Sequence, residues 1–321
     1  HAAKLNGPFS LVMEQAGLTD RFIKGWLDYL AFALSGLDAT GTLGAAVAFT
    51  MGDLYRPGAI LDYPVGGSGA VVAALVRGIE KHGGEVRLRS HVQGIELDAS
   101  GRACGVALRG GEVLTATAVV SNADAWATVG LLPEAARPPA RPRRGGALNA
   151  AMGKTPSFMH LHLGFRMSPE EVPEGLGIHY SVILDDFNDI EKDNNMVIIS
   201  IPTLLDPNMA PDGHHVLHAY YAADEPYEPW AGLDRRSEEY ARLKEERARP
   251  LWTAVEKLLP DIRQRLVVEM VGTPLTHERF LRRTAGTYGP PLFAPEGGET
   301  IPYAKTPVDG LLHCGDSCFP G

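Results

Sequence analysis

Apolar residues near the start of the chain recur at helical spacing. Residues 22–34 form one such run, in which Asp20 can cap a helix and Gly36 can end it. Thr42 can begin a second apolar helix, which closes near Pro57. Two apolar helices in sequence form either a packed core or a wall that faces a lipophilic ligand or a bilayer, and the pattern leaves both open.

The next stretch combines one helical stripe with short alternating segments. The stripe follows Gly67-Ser68-Gly69 and consists of Val71, Val72, Leu75, Val76 and Ile79. Alternation predicts strands over three ranges, 85–88, 91–97 and 103–108, and an apolar run over 118–120 predicts a fourth that leads to Ser121. Gly110-Gly111 predicts a hairpin turn. A strand–helix–strand unit with an inserted meander indicates one half of a dinucleotide-binding domain.

The later part of the chain alternates mainly with a period of two. Strands are predicted over five ranges, 157–165, 180–184, 196–201, 215–221 and 266–271. A long helix is predicted over residues 237–259, where Pro250 predicts a kink or break near Arg247. Between the two parts, residues 133–146 are rich in Pro and Arg, including Arg143-Arg144. This composition predicts a surface loop, with a site for an acidic partner as the alternative.

Size and composition narrow the class of protein. A length of 321 residues suggests about two domains, and 45% hydrophobic with 21% charged residues fits a soluble globular class. The net charge of −9 argues against binding nucleic acid. No apolar run is long enough to predict a spanning helix, although apolar surface can still bind a membrane. The chain opens at His1 without Met or an apolar leader, so we expect an upstream segment.

Several familiar motifs are incomplete in this sequence. Gly67-Ser68-Gly69 fails the dinucleotide fingerprint because Val72 stands where glycine or alanine is required. Gly153-Lys154-Thr155 fails the P-loop pattern because Leu148 replaces its first glycine. Two groups of strand histidines could bind zinc, His160 with His162 and His214 with His215 and His218. No acidic or cysteine ligand flanks them, and strand histidines are commonly satisfied by neighbours, so we predict no metal site.

The C-terminal residues carry the clearest sign of a ligand. The apolar segment 308–312 predicts a buried strand that delivers Gly315-Asp316 onto a turn. A carboxylate there can accept hydrogen bonds from a polyol, and the glycine lets a flat cofactor approach the backbone. These features suggest a flavin site, although the sequence stops where a following helix would begin.

Seven segments, in order along most of the chain, carry a resemblance to a known family. They are 61–67 (LDYPVGG), 87–92 (RLRSHV), 118–123 (AVVSNA), 157–164 (SFMHLHLG), 275–280 (LTHERF), 286–290 (GTYGP) and 315–321 (GDSCFPG). The chain resembles the carotenoid isomerase (prolycopene isomerase) and phytoene-desaturase-like FAD-dependent oxidoreductases, especially their plant and algal carotenoid-isomerase-like branch.

The resemblance implies a mixed α/β fold with a discontinuous domain organisation. It implies a Rossmann-like FAD-binding domain that lacks its first βαβ unit, and a substrate domain with an antiparallel sheet and helices. The implied boundaries are 1–60 for an apolar helical part that faces substrate or membrane, 61–132 with 306–321 for a partial FAD-binding domain, and 133–305 for the substrate domain.

The resemblance also implies FAD as the cofactor and a set of residues that bind it. The set is Gly66, Gly67, Val92, Ser121, Asn122, Gly315, Asp316 and Ser317. The backbone of Val92 would face the adenine, and Ser121 with Asn122 would lie near the adenosine end. Asp316 would accept from the ribityl hydroxyls, and Gly66-Gly67 would let backbone approach the isoalloxazine. No catalytic residue is identified.

The implied function is carotenoid cis–trans isomerisation or desaturation in the plastid, peripheral to the thylakoid or envelope membrane. The implied partners are a carotenoid substrate or pigment, the membrane surface and a photosynthetic complex, and not nucleic acid.

The sequence lacks the family's glycine-rich pyrophosphate turn. Losing three charge-assisted bonds of about 1.5–3 kcal/mol each would weaken FAD binding by roughly 4.5–9 kcal/mol. The alternative is therefore a flavin-free, non-catalytic scaffold or pigment-contacting subunit on a photosynthetic membrane complex.

Overall fold

The computed structural model of the chain describes residues 5–60, 63–138, 148, 152–189, 192–292 and 301–318. The basic pair Arg143-Arg144 and the last three residues of the 315–321 segment lie outside these ranges. The chain divides into two compact units. We call His1–Thr50, Arg87–Thr155 and Glu278–Gly321 the terminal unit, and Met51–Val86 with Pro156–His277 the sheet unit. The predicted domain boundaries given above stay a prediction.

The described residues contain helices and strands in mixed order, which confirms the predicted α/β class. The helices are α1 Phe9–Gln15, α2 Arg21–Ser35, α3 Gly44–Leu54, α4 Ser68–Lys81, α5 Ala125–Leu131, α6 Glu238–Leu258, α7 Ile262–Arg265 and α8 Pro274–Leu281. The strands are β1 Val92–Leu97, β2 Ala103–Leu108, β3 Val113–Thr115, β4 Val119–Ser121, β5 Ser157–Arg166, β6 His179–Ile183, β7 Met196–Ser200, β8 His214–Glu225, β9 Leu266–Gly272 and β10 Leu311–His313.

The first long helix begins and ends where its sequence signals predict. The Asp20 carboxylate accepts a hydrogen bond from the Ile23 amide at 2.9 Å, which satisfies one of the free N–H groups at the start of α2. Gly36 ends the helix in the left-handed conformation, with φ of 73°. One face of α2 is buried, with Leu27 and Phe32 upon it. Core packing therefore accounts for this face of the helix but not for its whole circumference.

The terminal unit contains two small sheets. Strands β1, β2 and β3 form the predicted antiparallel meander, and Gly110-Gly111 lies in the turn between β2 and β3. Strands β4 and β10 form a parallel pair in which His313 lies opposite Ser121. The predicted strand over 85–88 is wrong: these residues pair with no described strand, and Leu88 lies in a turn.

The sheet unit is built on a five-stranded antiparallel sheet in the order β6-β7-β8-β5-β9. Alternate residues of β5 are buried, from Met159 through Leu161 and Leu163 to Phe165. They form one core with buried residues of α6 such as Leu251 and Val255. The helix therefore covers one face of the sheet.

Helix α6 continues through Pro250, so a break near Arg247 is wrong, while a kink there stays a prediction. Proline supplies no N–H to the preceding turn and usually leaves a carbonyl unsatisfied there. The Tyr221 hydroxyl on β8 donates to the Arg247 carbonyl at 2.7 Å. A side chain from the sheet thus provides a hydrogen bond next to the proline, which the sequence pattern of the helix could not show.

Candidate functional site

The carboxyl ends of β4 and β10 form the candidate ligand crevice of the terminal unit. Because the two strands are parallel, the residues that follow them emerge at the same edge. The Cys314 amide donates to the Ser121 carbonyl at 2.9 Å, which extends the pairing by one residue. Asn122 therefore meets the turn that begins at Gly315.

Gly315 is required by this turn for two reasons. Its φ is +97°, which is a conformation that favours glycine. A Cβ atom at this position would also lie 2.3 Å from the Asn122 side-chain oxygen. The structure thus brings Ser121, Asn122 and Gly315 together at one edge.

Asp316 lies at the rim of the crevice and forms an ion pair with Arg283. Arg283 also donates to the carbonyls of Thr287 and Tyr288 at 2.6 and 2.7 Å, so its guanidinium is held in place from several sides. The Asp316 side chain is 55% exposed. It therefore keeps acceptor capacity for the hydroxyls of a polyol.

Ser317 is buried below this rim. Its hydroxyl accepts a hydrogen bond from the Ala125 amide at 3.0 Å, at the first turn of α5. Asp124, the residue before α5, accepts from the Ala127 amide and from the hydroxyl of Thr284. The C-terminal turn and the segment around Thr284 are thus both joined to the start of α5.

Sequence reasoning missed Asp124 and Arg283. Asp124 carries a readable signal, because an Asp directly before an apolar helical run is a common N-cap. Arg283 carries none, since its partner Asp316 lies 33 residues away.

The other predicted cofactor residues lie elsewhere. Val92 begins β1 in the terminal unit. Gly66 and Gly67 lie in the sheet unit directly before α4, and both have positive φ. The predicted role of these three residues toward a cofactor stays a prediction.

A comparison with models of known protein families identifies the family of this chain. The model for flavin containing amine oxidoreductases matches residues 14–321. The chain belongs to this family. Membership indicates FAD as the cofactor and confirms the resemblance stated from the sequence segments.

Related proteins agree with the assignment to the flavin-containing amine oxidoreductase family. The chloroplastic prolycopene isomerase of Arabidopsis thaliana is 35% identical over 306 residues, which are 95% of this chain and 49% of that protein. The neurosporene-forming phytoene desaturase of Rhodobacter capsulatus is 26% identical over 275 residues, 81% of this chain and 50% of that protein. The chain thus spans about half the length of the curated relatives it matches.

A solved structure supports the fold of this family member. An oxidoreductase from Methanosarcina mazei matches with a TM-score of 0.60 and 17% identity, covering 97% of this chain and 63% of that one.

Within the described residues, no helix is both long enough and apolar enough to cross a bilayer.

A second group of chemically active residues lies on the face of the sheet opposite α6. Antiparallel pairing of β5 with β8 sets His162 opposite His218, and their rings stack with centroids 4.4 Å apart. His160 Nδ1 and His218 Nε2 are 2.7 Å apart and share a hydrogen bond. The sequence predicted these strands and raised facing histidine pairs as possible zinc ligands, but it did not show which histidines would meet.

The remaining two candidate histidines do not join this cluster. His215 lies on the covered side of β8, where it stacks on Phe165 and bonds the Thr203 hydroxyl at 2.9 Å. His214 contacts the Asp212 carbonyl at 2.8 Å. Both follow the predicted pattern of strand histidines that neighbours satisfy.

The three clustered histidines are neutral imidazoles at ordinary pH. Burial, together with the nearby imidazoles of His218, His277 and His162, lowers the pKa of His160 to about 2. Burial likewise lowers the pKa of His218 to about 4 and lowers that of His162. Neutral rings can stack and can offer a nitrogen lone pair.

Beside the cluster lies a cavity of about 290 Å³. Its lining is almost wholly apolar apart from the imidazoles, and includes His162, Gly164, Val216, His218, Val268 and Met270. Such a cavity suits an apolar ligand with few polar contacts.

Proposed function

We propose that this chain serves an FAD-dependent oxidoreductase that acts on a carotenoid by cis–trans isomerisation or desaturation. Family membership supports the flavin, and the named activities of the prolycopene isomerase and phytoene desaturase relatives support the substrate class. The apolar cavity on the open face of the sheet has the character that a hydrocarbon chain requires.

The observation that carries this proposal is the parallel pair β4–β10, which sets Gly315 and the half-exposed Asp316 carboxylate beside Asn122. In a flavin family, such an edge fits the ribityl chain and the adjoining part of the nucleotide. Asp316 would accept from the ribityl hydroxyls, and Arg283 would keep its carboxylate oriented.

The remaining assigned residues would complete the cofactor contacts. Ser121 and Asn122 would lie near the adenosine end and the Val92 backbone near the adenine. Gly66-Gly67 would let backbone approach the isoalloxazine. Bound FAD supplies the electron chemistry, by accepting hydride in desaturation or by acting in its reduced form in isomerisation. The chain's own task is to hold and orient both molecules and to keep water from the polyene.

The test compares Asp316→Ala with Asp309→Ala, a change at an exposed aspartate of the same C-terminal segment. FAD content and affinity are measured by flavin absorbance and fluorescence quenching on the purified protein. We expect Asp316→Ala to weaken FAD binding by about 10-fold or more, because a charge-assisted hydrogen bond is worth about 1.5–3 kcal/mol. Asp309→Ala should leave it unchanged.

Activity is measured with a cis-carotenoid in detergent or liposomes, with reduced flavin present. Isomerisation without net oxidation or desaturation with flavin reduction would support the proposal. A protein that neither binds FAD nor alters the carotenoid would contradict it.

We also propose that the protein works in the plastid and contacts a thylakoid or envelope membrane peripherally. The prolycopene isomerase relatives are named chloroplastic. On α2, Phe22, Ile23 and Trp26 are exposed, and Phe22 is 67% exposed. Aromatic and aliphatic side chains on one helix face can enter the interfacial region of a bilayer.

The membrane contact is tested by cosedimentation with liposomes of plastid lipid composition. Phe22→Asp should reduce binding, whereas Val113→Asp, a change at an exposed valine of β3, should not. Equal binding by all three proteins would remove α2 from the membrane contact.

A second candidate function is a flavin-free scaffold or pigment-contacting subunit of a photosynthetic membrane complex. The observation that favours it is α4, on which no residue is buried although its apolar stripe includes Leu75 at 65% exposure. Copurification with such a complex in fixed ratio and without flavin would support it. Stoichiometric FAD or turnover of a cis-carotenoid would contradict it.

A further inference from the structure

The three imidazoles on the open face of the sheet form a cluster that the carotenoid chemistry proposed above does not require. One ring nitrogen each from His160, His162 and His218 lie within 4.8 Å of one another. The sheet itself imposes this arrangement. His160 and His162 share a face of β5, and register sets His162 opposite His218 on β8.

We propose that His160, His162 and His218 bind a divalent transition metal ion that prefers imidazole nitrogen, such as Zn²⁺ or Cu²⁺. Three protein nitrogens with an open fourth position are the usual ligand set of a reactive rather than a purely structural zinc site.

The distances between the ring nitrogens of the cluster are close to those of a metal site, but they do not match it yet. Zinc–nitrogen bonds of about 2.0–2.1 Å place the nitrogens of two tetrahedral ligands about 3.4 Å apart. In the cluster, His160 and His218 are closer than this because they share a hydrogen bond of 2.7 Å. Closing the rest of the span of up to 4.8 Å requires the exposed His162 ring to turn out of its parallel stack on His218.

His160 supplies a second sign of a ligand. Its Nε2 atom is buried and makes no hydrogen bond with any described residue, while its Nδ1 is used by His218. A buried imidazole nitrogen without a partner destabilises the fold, because it has lost its hydrogen bonds to water. Coordination of an ion by Nε2 would give this nitrogen a partner.

The cavity beside the cluster leaves room for a further ligand on the ion. The open coordination position would be directed to the neighbouring apolar cavity, which His162, His218 and Met270 line. Met270 lies opposite His162 on β9 and offers a soft sulfur atom near the site.

The test uses the full chain without a polyhistidine tag. Zn²⁺ affinity is measured by competition with a chromophoric chelator, and Cu²⁺ ligation by electron paramagnetic resonance, which counts coordinated nitrogens. We expect one equivalent of metal, three nitrogen ligands for Cu²⁺ and a rise in thermal unfolding temperature on adding Zn²⁺.

Two single substitutions probe the ligands and one provides the control. His162→Ala and His218→Ala should each weaken Zn²⁺ binding by more than about 100-fold, since even indirect partners of a metal ligand contribute 10–100-fold. His214→Ala removes a histidine of the same strand outside the cluster and should leave the affinity unchanged. Circular dichroism establishes that each variant is folded, and His218→Phe preserves the ring stack should the alanine variant unfold.

A ligand exchange separates coordination from mere packing. His162→Cys should retain tight Zn²⁺ binding and, with Co²⁺, give a thiolate-to-metal charge-transfer band that the wild type lacks. Equal Zn²⁺ affinities of the wild type and His162→Ala, fewer than three nitrogens on Cu²⁺, or the absence of that band in a folded His162→Cys protein would each overturn the proposal.

Discussion

The two faces of β5 show how one strand can serve two purposes. Leu161, Leu163 and Phe165 point toward α6 and are fully or almost fully buried. His160 and His162 point to the other face, where the His277 ring of α8 lies 4.7 Å from that of His160 and an apolar cavity is open beside His162. Stability is therefore concentrated on one face, which leaves the other available for ligands.

The largest effect is expected on the covered face. Phe165→Ala removes a ring that is 0% exposed, and we expect the free energy of unfolding to fall by about 3–5 kcal/mol. His162→Ala on the exposed face should lower it by less than about 1 kcal/mol. Urea denaturation of both variants measures the difference, and equal losses would show that the open face is also part of the core.

The next largest change in folding stability depends on pH and involves Asp224 at the end of β8. Burial raises the pKa of Asp224 from 3.8 to about 7, although the Asn194 amide donates to its carboxylate. Below pH 3.8 the side chain is protonated in both states, so its ionisation has no effect on stability. As pH rises toward about 7, the unfolded chain ionises first and stability falls.

Asp224→Asn should therefore stabilise the fold at pH 8 by up to about 4 kcal/mol and leave it nearly unchanged at pH 4. Urea midpoints at both pH values test this difference. Asp189→Asn, at an exposed aspartate of the same unit, is the control. A variant that is less stable than wild type at pH 8 would contradict the assigned cost of burial.

A smaller change in the free energy of unfolding is expected when the Tyr221 hydroxyl is removed from the covered face. Tyr221→Phe removes the hydroxyl that donates to the Arg247 carbonyl beside Pro250 and should cost about 1–3 kcal/mol. Tyr220→Phe, on the opposite face of the same strand, is the matched control. Hydrogen exchange of α6 amides would show whether the loss is centred on the proline turn, and uniform exchange would argue against it.

The smallest effect is expected on α4, the helix whose stripe is exposed. Leu75→Ser should change the free energy of unfolding by no more than about 0.5 kcal/mol. Leu251→Ser on α6, where the leucine is 0% exposed, should cost several times more. A large loss at Leu75 in the isolated chain would mean that the stripe is covered in solution.

Local patterns predicted most of the elements because each is fixed by nearby residues. The Asp20 cap and the Gly36 stop define α2, and alternation defines β5. The strand predicted over 85–88 failed because a strand needs a partner, and partners are not encoded locally. The Tyr221 hydroxyl that donates to the Arg247 carbonyl near Pro250 is also distant in sequence.

The candidate sites likewise combine features that nearby residues determine with features that depend on residues distant in sequence. The Gly315-Asp316 turn could be predicted, because glycine and aspartate after an apolar strand have a recognisable chemistry. The Arg283 partner of Asp316 could not, and neither could the meeting of His162 with His218. Both follow from strand register and loop closure, which join residues far apart in the chain.

The parallel pair β4–β10 has a consequence for the order of folding. Val119 pairs with Leu311, so about three fifths of the chain separates the two strands. During synthesis, the whole five-stranded sheet leaves the ribosome before β10 does. The sheet unit can thus become ordered first, and the crevice beside Asn122 takes shape only in the last steps of chain emergence.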